Sequence, residues 1–137
     1  MKVKLDPGAK CPTRAYAADA GLDLYSRDPD IVIEAGESHV FPTGVHVELP
    51  HGTVGDLESK SGLFIRHGII SLGTVDEGYT GEIFVRLVNT GKSPVIIRRG
   101  EKITHLVIKP IVRPSVEIVD EISGGPRGDN GLGSTGR

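Results

Sequence analysis

Short aliphatic runs that alternate with polar residues, each cut off by glycine-bearing turns, constrain this chain more than any other feature. Val45, Val47 and Leu49 fall on one face of an extended segment with His46 and Glu48 on the other, and Ile83, Val85 and Leu87 repeat the pattern. Further strands are expected near Val3–Leu5, Leu22–Tyr25, Ile31–Ile33, Val95–Arg98, Ile103–Ile108 and Val116–Val119. Between them stand the turn signals Glu34-Ala35-Gly36-Glu37, Asn89-Thr90-Gly91-Lys92 and Arg99-Gly100-Glu101. A chain of 137 residues with 19 glycines and abundant valine and isoleucine reads as one all-β domain, a sandwich or barrel of short strands. Only Glu58–Gly68 has another character. Serines at its start and Gly68 at its end predict a single short helix with serine capping, whose first N–H groups, beside Lys60, suit a phosphate.

Several function classes are disfavoured. Cys11 is the only cysteine, so neither an internal disulfide nor a cysteine-based zinc site is expected, and an inert thiol is the simplest reading. Met1–Asp6 carries no signal-peptide-like apolar run and no stretch approaches a membrane span, so a soluble, cytoplasmic protein with no membrane partner is expected. A net charge of -2 removes the broad attraction of a basic domain, and no direct nucleic-acid binding is expected. A small anion needs only local positive charge and stays open. Residues 124–137, with Leu132 their one large apolar residue, are almost free of core-forming side chains but combine glycines with Arg127, Ser134, Thr135 and Arg137. They read either as a disordered tail or as a phosphate-binding lid. No Gly-Lys-Ser/Thr follows the glycines, so this is not a P-loop. The chain thus divides into a β domain, 1–123, and a flexible glycine-rich arm, 124–137.

Five segments, in order, carry a family resemblance: Ala20-Gly21-Leu22-Asp23-Leu24-Tyr25-Ser26; Ser59-Lys60-Ser61-Gly62-Leu63; Gly73-Thr74-Val75-Asp76-Glu77-Gly78-Tyr79-Thr80-Gly81-Glu82-Ile83; Arg99 through Leu106; and Arg127-Gly128 with Gly131 through Gly136. Together they resemble the five motifs of the trimeric dUTPase family (deoxyuridine 5′-triphosphate nucleotidohydrolases). The resemblance implies a jelly-roll-like β-clip subunit with one short helix, assembled as a homotrimer whose active sites are shared between subunits. It implies hydrolysis of dUTP to dUMP and pyrophosphate with Mg2+, limiting uracil incorporation into DNA and supplying dUMP for dTMP synthesis.

It also implies roles. Asp76 activates the water that attacks the α-phosphorus, although an aspartate in such a hairpin is otherwise an ordinary turn residue. Tyr79 packs under the deoxyribose and rejects a 2′-hydroxyl, while Thr74, Val75 and Phe84 read uracil mainly through main-chain atoms. Lys60, Ser61 and Gly62 bind phosphate, joined by His105. Asp23 helps hold magnesium through water, the ion resting mainly on the triphosphate. Arg127, Leu132, Gly133, Ser134 and Thr135 belong to the closing arm, with Arg127 reaching the γ-phosphate.

Some positions depart from the family's commoner residues: Lys60 for arginine, Gly78 for an acidic residue, His105 for glutamine, Leu132 for an aromatic, and Ile70 for asparagine. Two alternatives stay open. One is a dCTP deaminase of the same superfamily, whose glutamate and arginine near the base have no convincing counterpart here. The other is a dUTPase-like binding protein that has lost turnover.

Overall fold

The structure is a computed structural model and describes residues 1–126 and 128. Its elements run β1 (Lys2–Leu5), β2 (Gly21–Tyr25), β3 (Ile31–Ile33), β4 (Ser38–Pro42), β5 (Val45–Glu48), β6 (Thr53–Glu58), α1 (Ser61–His67), β7 (Ile69–Val75), β8 (Phe84–Asn89), β9 (Val95–Ile97) and β10 (Lys102–Pro110). A six-stranded sheet has the order β2-β10-β6-β7-β8-β4, and β1 with β5 and β3 with β9 form two small ribbons. Every pairing is antiparallel. The class is all-β, as alternation predicts, and the sheet curls over one apolar core.

Alternation places the core directly. Val45, Val47 and Leu49 are buried while Glu48 is exposed, and Val85 and Leu87 are both 0% exposed. The turns at Gly36 and Gly100 use positive φ, which glycine adopts without steric penalty. Gly68 ends α1 in the left-handed region, its N–H reaching the carbonyls of Leu63 and Phe64. A side chain there would also meet the backbone of Gly91 at 2.7 Å, so this stop is demanded twice.

Two expectations need correction. Serine does not cap α1: the N-cap is Lys60, which makes no side-chain cap bond. Ser59 Oγ is instead engaged across the sheet, accepting from Ser71 N–H at 2.8 Å and donating to Ser71 O at 3.0 Å. Val116–Val119 is not a strand, and Val116 and Ile118 are 92% and 97% exposed. Strand-like residues need a neighbouring edge to satisfy their backbone groups, and among the described residues this segment pairs with none.

One buried polar group closes the end of the core. Asn89, 0% exposed, donates through Nδ2 to Ile33 O at 2.9 Å and Ser93 O at 2.8 Å, and accepts from Gly91 N–H at 2.9 Å. Asn89→Leu leaves all three backbone groups without that partner. We predict a loss of about 2–4 kcal/mol in denaturant unfolding; a loss under about 0.5 kcal/mol would show that the loops re-pair without the amide.

Candidate active site

Lys102 and His105 are three residues apart, so on a regular strand they would face opposite sides of the sheet. A β-bulge changes this. Thr104 pairs with Leu24 but Lys102 pairs with Tyr25, leaving one extra residue on β10. The parity shift brings Lys102 and His105 to the same carboxylate, that of Asp23 on β2.

Asp23 is 3% exposed and surrounded by nitrogen. Lys60 Nζ donates to its Oδ1 at 2.6 Å, Lys102 Nζ approaches Oδ2 at 2.6 Å, and His105 Nε2 stands 3.1 Å from Oδ1. Lys60 Nζ also donates to His105 Nε2 at 2.7 Å. Burial pushes the Asp23 carboxyl upward, but hydrogen bonds from Lys102 and Lys60 and their charges outweigh it, so it lies below the ordinary carboxylate range. Its hydrogen bond in turn raises Lys102. Two lysines against one carboxylate leave the patch positive, which suits a phosphorylated ligand.

A ladder of hydroxyls beneath holds the Ser59–Ser61 turn. Thr104 Oγ1 donates to Glu58 O at 2.9 Å and lies 2.8 Å from Ser71 Oγ, while Ser59 Oγ grips the Ser71 backbone. Lys60 is thereby set at the start of α1, where the first helical N–H groups have no intrahelical partner.

The second half of the site is the hairpin after β7. Tyr79 N–H donates to Asp76 O at 2.9 Å and Tyr79 Oη to Glu82 O at 2.7 Å, folding the ring back over the hairpin. Gly81 is required beneath it, because a Cβ there would lie 2.6 Å from Tyr79 Oη. Thr74, Val75, Tyr79, Phe84, Leu57 and Gly73 help line a pocket of about 210 Å³, the size of a single ring rather than a nucleotide. Val75 is buried at the base of the hairpin. Asp76 is exposed, and among the described residues its carboxylate accepts no hydrogen bond.

These halves lie apart along the sheet of one chain. Asp23, His105, Glu58 and Leu72 lie in one row across β2, β10, β6 and β7, so three strand spacings, roughly 14 Å along the sheet, separate Asp23 from β7. Asp76 lies four residues beyond Leu72, past the end of β7. The candidates thus fall into two groups: Lys60, Ser61, Gly62, His105 and Asp23 in one, Thr74, Val75, Asp76, Tyr79 and Phe84 in the other. Arg127, Leu132, Gly133, Ser134 and Thr135 lie outside the described residues. Lys102 was not among the sequence candidates, since only the bulge reveals its direction.

As a metal site the described residues are poor. They contain no group of three or more His, Cys, Asp or Glu placed to hold an ion, and both Asp23 oxygens are already engaged by lysine. Asp23 does not fit as a direct ligand while those pairs stand.

A positive cluster set apart from a narrow, aromatic-sided pocket on a curled β-sheet defines a protein built to take a small phosphorylated ring compound. Comparison with known proteins narrows this class. The family model for dUTPase matches residues 8–136. A deoxyuridine 5′-triphosphate nucleotidohydrolase of Gloeothece citriformis is 46% identical over 136 residues, covering 97% of this chain and 93% of that protein. One from Clostridium acetobutylicum is 44% identical, with the same shares of 97% and 93%. The dUTPase of Staphylococcus bacteriophage 80alpha with dUPNHPP superposes with a TM-score of 0.91 at 31% identity, covering 99% of this chain and 98% of that one. A mutant dUTPase of phage phi11 of S. aureus, described as revealing the coordination of a structural Mg(II) ion, gives a TM-score of 0.80 at 28% identity, covering 88% and 96%. The chain belongs to the dUTPase family and is an enzyme of it.

The Asp23 cluster yields a pH prediction. Because its carboxyl is lowered, its ion pairs stabilise the fold above the ordinary carboxylate pKa, near 4, and that contribution disappears as pH falls through the lowered value. Thermal unfolding should show a stability loss below about pH 4 that is shallower in Asp23→Asn. Parallel acid limbs for the two proteins would remove Asp23 from this role.

Proposed function

We propose that this enzyme hydrolyses dUTP to dUMP and pyrophosphate, in active sites shared between the subunits of a homotrimer. The observation that carries the proposal is the hairpin: an exposed, unengaged Asp76 carboxylate beside a ring-sized pocket walled by Tyr79. Asp76 takes a proton from water as the water oxygen bonds to the α-phosphorus. The bond from that phosphorus to its bridging oxygen breaks, and pyrophosphate leaves with the electron pair. Uracil enters the pocket and is read by the main chain of Thr74, Val75 and Phe84, while the Tyr79 ring leaves no room for a 2′-hydroxyl. Lys60, Ser61, Gly62 and His105 receive the phosphates, and we add Lys102 to this group because its ammonium stands at the same Asp23 carboxylate as Lys60.

Magnesium, held mainly by the triphosphate, would screen its charge. Asp23 acts on it through water at most, since lysines engage both carboxylate oxygens. Arg127, Leu132, Gly133, Ser134 and Thr135, in an arm of residues 124–137 following a β domain of 1–123, close over the nucleotide. The enzyme acts in the cytoplasm, keeping uracil out of DNA and supplying dUMP for dTMP synthesis. Among the described residues no helix is long and apolar enough to cross a membrane.

Two features support sharing. The hairpin and the cationic cluster lie apart on one chain. The outer face of β7, β8 and β4 also leaves apolar surface uncovered, with Leu72 79%, Phe84 53% and Val40 38% exposed. A neighbouring subunit covering this face, and receiving the unpaired segment around Val116, satisfies both.

Asp76→Asn should fold and bind dUTP yet release pyrophosphate about two to four orders of magnitude more slowly. Near-normal turnover by the folded variant would take the base role from Asp76. The wild type should prefer dUTP strongly over UTP, dTTP and dCTP; equal turnover of UTP would refute the role given to Tyr79.

A further inference from the structure

The residue after Asp76 is held from three directions. Glu77 Oε1 lies 2.6 Å from His51 Nδ1, and Oε2 accepts from Gly52 N–H at 3.1 Å and from Arg113 Nη2 at 2.5 Å. His51 and Gly52 belong to the turn between β5 and β6, and Arg113 stands just beyond β10. Gly52 also binds this last segment directly, its carbonyl accepting from Ile111 N–H at 2.9 Å. One carboxylate therefore joins the hairpin, a turn and the root of the C-terminal segment.

We infer that Glu77 is a positioning residue, holding Asp76 in place and tying the hairpin to the segment that leads into the C-terminal arm. The inference rests on Asp76 being the base. Sheet pairing to β6 ends at Val75, so Asp76 has no ladder partner there. On its return side the hairpin is tied by Thr80 O to His46 Nδ1 at 3.0 Å and by Glu82 Oε1 to Gly44 N–H at 2.7 Å. On its outgoing side Glu77 supplies the side-chain anchor. Hydrogen bonds from Arg113, His51 and Gly52 N–H hold the Glu77 carboxyl at about 2, so the clasp is charged across the working pH range. An exposed ion pair contributes little to overall stability. Its effect here is geometric, and misplacing a reacting group by about 1 Å can slow a reaction about a hundredfold.

The test uses steady-state kinetics of the full chain with dUTP and magnesium. Glu77→Ala should lower kcat by about ten- to a hundredfold while KM moves less than about threefold. Glu77→Gln should recover most of kcat, because its amide oxygen still accepts from Gly52 N–H. Arg113→Ala should show a smaller loss of the same kind. If Glu77→Ala does not fold, Glu77→Asp, too short to span the clasp, replaces it. The deciding measurement is the double variant Asp76→Asn with Glu77→Ala, which should be no slower than Asp76→Asn alone, since Glu77 acts through Asp76. Multiplying losses, or an unchanged kcat in Glu77→Ala, would overturn the inference while Asp76 keeps its role. A fully active Asp76→Asn would overturn both, and that result is read from a separate variant.

Discussion

A carboxylate that is 3% exposed has to be neutralised where it stands, and Asp23 is neutralised by lysines from two other parts of the chain. Lys60 comes from the turn between β6 and α1, and Lys102 from the start of β10. Asp23 therefore fixes the relative placement of three segments and concentrates two ammonium groups in one place. Much nearby structure serves this arrangement. The bulge in β10 turns Lys102 toward the carboxylate, and the hydroxyls of Ser59, Ser71 and Thr104 hold the turn that carries Lys60. The patch carries its own counter-ion, and under the proposed function a phosphate would compete with Asp23 for lysines that are already oriented.

The patch gathers ammonium groups, and the hairpin carries the exposed Asp76 carboxylate. Along the sheet of one chain they lie apart, with three strand spacings between Asp23 and β7 before the further distance to Asp76 is counted. Under the proposed function a second copy supplies what one lacks. Under this proposal the uncovered apolar face of β7, β8 and β4 and the strand-like but unpaired Val116–Val119 share an explanation. Both are surfaces finished by a neighbour.

The legible part of the fold was the part governed by alternation and turn chemistry. Val45 to Leu49 and Ile83 to Leu87 bury every second side chain, and Gly36, Gly68 and Gly100 stop or turn the chain where positive φ is needed. β7 was hidden because Ser71-Leu72-Gly73 breaks the pattern: Ser71 is buried for its hydrogen bonds while Leu72 is exposed. Alternation also predicted that Val116–Val119 can be extended, but it carries no information about whether a partner edge exists in the same chain. The candidate site was legible as two sets of motifs but not as a geometry. Lys102 needed the bulge to be seen, and nothing in the sequence pattern sets Glu77 apart, because its partners His51, Gly52 and Arg113 come from distant segments.

Because the account depends on each active site being shared between subunits, with Asp76 and the C-terminal arm supplied by different chains, mixing defective chains tests it most directly. One variant carries Asp76→Ala with an intact C-terminus, and the other ends before Arg127 with Asp76 intact. Each alone should be nearly inactive. Refolded together in equal amounts, they should recover activity in about one quarter of sites, since random assembly of a closed ring pairs a truncated chain's Asp76 with a substituted chain's arm at that frequency. No recovery, with mixed trimers verified by mass, would contradict the shared site.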